Sequence, residues 1–143
     1  MVVLLWAGWG LYVQGGGIAT AKPNLGYWIA FATIGTYPLW SGIEAFRYHA
    51  LMKKRLTLGL ADPLVVDRFR LWGVASLCAM SSIWIVNVPT FVGVDATTGT
   101  ISGFVSACMV VTAGFGTATV CLYWLTFFPP AWYQARLAGS ASA

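Results

Sequence analysis

Long apolar runs broken by short polar segments organise this chain, and their lengths predict an all-α, polytopic transmembrane helical bundle of about four spans. The first run, Met1 to Val13 ahead of Gln14-Gly15-Gly16-Gly17, falls short of the roughly 20 apolar residues that a span requires. It therefore predicts an incomplete or irregular crossing near residues 1–18. No basic residue precedes it and no small-x-small cleavage pattern follows, so it does not read as a signal peptide. Lys22-Pro23-Asn24 predicts a loop in which Asn24 caps the next helix. Leu25 to Phe46 then predicts a full span with a kink near Ile34 and Gly35, because Pro38 lacks a backbone N–H and crowds the preceding turn.

Past Phe46 the helical spacing continues. Tyr48, Leu51, Met52 and Leu56 fall on one stripe and leave Arg47, Lys53 and Lys54 on the wetter side. Gly59 supplies a C-terminal stop, and Asp62 followed by Pro63 supplies an N-cap and first-turn pair. Together these signals predict an antiparallel helical hairpin turning at Leu58 to Ala61 and extending into the cytoplasm. Level helices would place Asp67 opposite Lys54, an interfacial ion pair worth about 0–1 kcal/mol that would set register.

The third helix is expected from Pro63 to Val88, about 39 Å at 1.5 Å per residue, longer than a ~30 Å hydrocarbon core. Its start, with Asp67, Arg68 and Arg70, then stands in the headgroups, Trp72 marks the boundary, and the span itself covers residues 70–88. Asn87, Pro89 and the loop around Asp95 leave the membrane, and Thr100 caps a last span over 101–128. Within that span Gly103, Ala107, Gly114 and Ala118 form a stripe of small residues that lets another backbone approach. Packing against the preceding helix is the expected use of this stripe, with self-association the alternative. Pro129-Pro130 stops the helix, Trp132 and Tyr133 anchor it at the interface, and residues 139–143 read as a disordered tail. Residues 1–138 form a single transmembrane domain on this reading.

Composition agrees with the bilayer. Hydrophobic residues make up 59% of the chain and charged ones 8%, with a mean hydropathy of +0.75, too few charges to cover a water-soluble surface. The net charge of +4 is concentrated. Arg47, Lys53, Lys54, Arg55, Arg68 and Arg70 lie in one loop and Arg136 follows the last span, whereas Lys22 stands alone between the first two. The excess of Lys and Arg puts the hairpin and the C-terminus in the cytoplasm of a bacterial inner membrane. There these cations can contact anionic lipid headgroups or a protein partner. Elsewhere basic residues are too sparse for a nucleic-acid footprint.

Three segments, Leu58-Gly59-Leu60-Ala61-Asp62-Pro63, Arg68-Phe69-Arg70-Leu71-Trp72-Gly73 and Phe127-Phe128-Pro129-Pro130, resemble signatures of a group of uncharacterised bacterial multi-pass membrane proteins. The resemblance covers Leu58 to Pro130. It implies a relation to the C-terminal portion of proteins with up to about seven spans, which would put Met1 inside a longer bundle. It implies no activity and no site residue.

Candidate chemistry is sparse. Glu44 is the one acidic residue bordering a span, and an ionisable group there raises the prospect of an ion or proton site. Its depth, roughly 27 Å along the helix from Gly26, instead suggests a headgroup-level carboxylate paired with Arg47 or snorkelling to water. His49, the single histidine, stands beside the basic cluster and reads as a solvated interface residue. Cys78, Cys108 and Cys121 sit in apolar runs with no CxxC pair, so no metal site or other cofactor is implied. The chain therefore reads as a small integral membrane protein without enzymatic activity, an accessory or structural subunit or a self-associating homo-oligomer whose surroundings are the lipid bilayer. An oligomeric transporter or channel lined by Glu44, Ser81, Ser82, Asn87 and Thr112 is the alternative. A membrane portion of a sensor, in which the kinked second span moves the hairpin, is the third reading.

Overall fold

The computed structural model describes residues 25–92 and 103–141. The expected first span, the Asn24 and Thr100 caps and the loop around Asp95 lie outside the described residues. Of the described residues 91% are helical and none is in a strand. The helices are α1 (Leu25–Thr57), α2 (Pro63–Phe91), α3 (Gly103–Phe127) and α4 (Ala131–Ala141).

Helix α1 runs without interruption through Pro38 and beyond Phe46, so the expected second span is the first part of one 33-residue helix. It stops where glycine permits. Gly59 adopts φ +70°, a left-handed conformation that costs an L side chain energy. The Leu60 N–H then reaches the Arg55 carbonyl at 2.9 Å and the Gly59 N–H the Leu56 carbonyl at 3.0 Å. This pair of bonds satisfies carbonyls that the helix end would otherwise orphan. Three residues later Asp62 accepts the Leu64 N–H on Oδ1 at 2.7 Å, and its own carbonyl takes the Val66 N–H at 3.2 Å. Pro63, which has no N–H to waste, opens α2. The expected hairpin turn is thus present in its atomic detail.

The chain divides into two compact units, Met1–Tyr37 with Met80–Gly114 and Pro38–Ala79 with Phe115–Ala143. In the described part of the first, aromatic rings from α1 and α2 interlock: Phe31 meets Trp84 edge-on at 5.2 Å and Phe91 at 5.1 Å, and Trp28 stacks on Phe91 at 5.6 Å. The Tyr27 hydroxyl donates to Asn87 Oδ1 at 2.5 Å, and Asn87 Nδ2 donates to the Ile83 carbonyl at 2.6 Å. Ser82 donates to the Thr112 carbonyl on α3 at 3.3 Å. Each of these donors thus finds an acceptor within the unit.

In the second unit small residues bring helices close. Gly42 faces Ser76 and the Gly73 carbonyl, while the Phe46 ring lies so near Gly73 that an added Cβ would meet it at 2.8 Å. Ala75 and Ser76 are fully buried, and Ser76 shares hydrogen bonds with Ser41 at 3.4 Å and the Tyr123 hydroxyl at 3.5 Å. Trp72 meets Tyr123 and Phe127 edge-on, at ring distances of 6.4 and 6.1 Å.

Two helices, α2 and α3, are long and apolar enough to cross a membrane, yet only 22% and 6% of their most apolar stretches are buried. A core helix of a soluble domain would hide most of such a stretch. The apolar part of α1 is diluted by Trp, Tyr, Gly and Thr and is not among these two. Helix α2 continues past the expected end at Val88, through Pro89 to Phe91, since proline removes one bond to the preceding turn without blocking the Val92 N–H from the Val88 carbonyl at 3.1 Å. Beyond Pro129-Pro130 the chain does not become a tail at Gly139. The Pro130 carbonyl accepts the N–H groups of Tyr133 and Gln134, and α4 runs on to Ala141.

Candidate functional site

The basic end of the second unit gathers most of the chain's charge, and its centre is Asp67. This carboxylate is 6% exposed, on the second turn of α2. It receives the Tyr133 hydroxyl from α4 and the Arg70 guanidinium at 2.5 Å. The helix geometry explains both contacts: Arg70 lies three residues on, one turn along the same face, and the Pro129-Pro130 corner returns α4 to that face. Burial raises the pKa of Tyr133 above its ordinary value, and the anionic Asp67 adds to the rise, partly opposed by Arg70.

The expected Lys54–Asp67 pair is not formed. Tyr48 stacks on Phe69 at 5.6 Å and His49 Nδ1 lies 2.9 Å from the Val66 carbonyl, a register that carries Lys54 past Asp67 toward the turn, where it is exposed. His49 is correspondingly not a solvated surface residue. A carbonyl can only accept, so the ring holds its proton on Nδ1 and ties α1 to α2. Sequence spacing concealed both roles. An acidic residue on the second turn of α2, and a tyrosine just past a double proline, were the signals available for the Asp67–Tyr133 contact.

The six cations of the expected headgroup surface separate into three kinds. Arg47, Lys53, Lys54 and Arg55 are exposed. Arg70 is committed to Asp67. Arg68 is half-buried, and its Nε is shielded from solvent with no hydrogen-bond partner among the described residues. Glu44 is also half-buried and forms no ion pair with Arg47 or any other described residue within 4.0 Å.

Among the described residues the stripe on α3 is largely open rather than packed against α2 as expected. Gly103, Ala107 and Gly114 are exposed, and a Cβ at Gly103 or Gly114 would meet nothing within 4 Å. The helix instead turns Val105 and Thr112 inward, well around its circumference from those positions. Ala118, one turn past Gly114, is half-buried. Of the polar residues proposed to line a path, Asn87 and Ser82 are engaged in the first unit's hydrogen bonds, whereas Glu44 belongs to the second unit. Among the described residues no three His, Cys, Asp or Glu side chains are grouped to hold a metal ion.

No family model, curated protein or solved structure matches this chain.

Proposed function

We propose that the chain is a small integral protein of the bacterial inner membrane that acts as an accessory or structural subunit, or as a self-associating bundle, through packing rather than turnover. In this reading α2, α3, the apolar part of α1 and the N-terminal run make four crossings, and the basic hairpin and C-terminus face the cytoplasm. The observation that carries it is the open face of α3 at Gly103, Ala107 and Gly114. Small residues facing outward remove the side-chain bulk that keeps two membrane helices apart. The test is the oligomeric state in mild detergent, beside native gel migration of the protein in a membrane extract. An assembly that Gly114→Ile reduces to monomer supports the proposal; a wild-type monomer that joins no larger complex overturns it.

A second reading, an oligomeric transporter or channel, is favoured by Glu44, which is half-buried and has no counter-ion among the described residues. Flux in proteoliposomes that falls by about tenfold or more in Glu44→Gln would support it, as removal of an essential charge in a low-dielectric path should. No flux from either protein would remove it.

A further inference from the structure

We propose that the tip of the α1–α2 hairpin is a docking point for a cytoplasmic protein that presents an apolar pocket rimmed by carboxylates. The proposal rests on the membrane placement described under the proposed function, and it gives the subunit reading a partner of defined chemistry. Leu58 and Leu60 are 71% and 74% exposed. Their backbone is nonetheless fixed: each N–H donates to the Arg55 carbonyl, at 3.1 and 2.9 Å, and Gly59 between them makes the left-handed turn. In a helix end closed this way, the residue after the glycine frequently packs on an apolar side chain five or six positions back. Here those positions are Arg55 and Lys54, so the usual apolar partner of Leu60 is missing and its side chain stands in the open.

Depth sets these leucines apart from the exposed apolar side chains of the spans. From Trp72, the ring expected at the hydrocarbon boundary, back to Pro63 the helix rises about 13–14 Å. The headgroup layer on each side of the hydrocarbon is only about 5–8 Å deep. The tip therefore reaches through the headgroups into water, where an exposed leucine is covered by a protein surface and not by lipid. Lys53, Lys54 and Arg55 stand beside it, all exposed and none in an ion pair with another described residue. Charge then selects the occupant. Of the chain's four carboxylates, Asp67 is buried against Arg70 and Tyr133, Asp62 caps α2, Glu44 is half-buried about four turns before the tip, and Asp95 follows the opposite end of α2 in sequence. A second copy thus has no acidic surface to offer this tip and would bring like charge to it. Residues 53–62 contain no aromatic ring to stack on a base, and leucines add nothing to a phosphate contact, which disfavours nucleic acid.

The test uses the full-length chain in cells of the source organism, with a photoreactive benzophenone amino acid replacing Leu58, Leu60 or, as a control on α3, the exposed Val120. Probes at 58 and 60 should give the same protein adduct, with the crosslinked peptide of that protein lying beside a carboxylate-rich surface. Lys53→Glu combined with Lys54→Glu should lower the yield about tenfold or more, and Lys53→Arg combined with Lys54→Arg should change it by less than about twofold. Reversing the partner's carboxylates to lysines should restore the adduct of the charge-reversed chain. Equal membrane content and unchanged helicity establish that the variants are folded. The proposal is overturned by no adduct at either tip position, by adducts to lipid, RNA or a second copy, or by a protein adduct that survives the double reversal. The Val120 probe separates the two failures. Lipid adducts there, with the expected tip adduct absent, leave the membrane placement standing and remove only the docking point; no lipid adduct at Val120 removes the placement itself.

Discussion

The Tyr133 hydroxyl donates to the carboxylate of Asp67, fastening the last helix of the chain to the second turn of α2. The contact closes a sequence distance of 66 residues. It also gives the buried carboxylate a second donor beside Arg70, as a shielded charge requires.

Removing the phenolic oxygen should therefore loosen α4 more than removing its neighbour's charge. Tyr133→Phe is expected to cost about 1–2 kcal/mol, the range for a partly shielded bond to a charged group. Arg70→Gln should cost under about 1 kcal/mol, because the Arg70 side chain is 55% exposed and water replaces most of the pair. Thermal unfolding in detergent and the rate of tryptic cleavage after the exposed Arg136 measure the two effects. Equal behaviour of both variants would contradict the ranking.

Alkali should act through the same hydroxyl. Tyr133 has its pKa raised above 10.0 by burial, then by Asp67. Its folded state thus holds the proton more tightly than the unfolded chain does, so the stabilisation is complete below the ordinary tyrosine value and lost as pH rises through the higher folded one. Tyrosinate absorbance should show a late-titrating component that shrinks in Tyr133→Phe, and wild type should lose more stability than that variant across this window.

Two glycines should respond oppositely to one added methyl. Gly73→Ala drives a Cβ against the Phe46 ring and should cost about 1–3 kcal/mol, the usual penalty for overpacking. Gly114→Ala meets open space and should leave the folded chain unchanged or stabilise it by up to about 1 kcal/mol through helix propensity. Denaturation midpoints of the two variants decide this.

The hairpin turn offers a third pair. Asp62→Ala should cost about 0.5–2 kcal/mol by freeing the Leu64 N–H. Gly59→Ala should cost about 1 kcal/mol or more by forcing a Cβ into the left-handed region. Hydrogen exchange confined to residues near 55–66 would show local opening in both.

What was legible in the sequence had local causes. Gly59, Asp62 and Pro63 act within a few residues of themselves, so their roles follow from residue type, and the apolar lengths of α2 and α3 follow from composition. The aromatic interlock around Phe31 and the Ser41–Ser76–Tyr123 contacts depend on which faces meet, and spacing alone does not fix that. The same holds for the charges. Lys54 and Arg70 look equivalent as letters, but the register set by Tyr48 on Phe69 carries Lys54 past Asp67, whereas Arg70 reaches that carboxylate from one turn along the same helix. The stripe on α3 was visible as a pattern, whereas its outward direction depended on where Val105 and Thr112 turned.

Sidedness of the basic hairpin is the most direct measurement. In a bacterial host, Lys54→Cys should stay unlabelled when a membrane-impermeant maleimide is added to intact spheroplasts and should label fully in inverted membrane vesicles, with the protein remaining in carbonate-washed membranes. Labelling from outside intact spheroplasts would contradict the cytoplasmic placement, and recovery of the chain in the carbonate supernatant would contradict its passage through the bilayer.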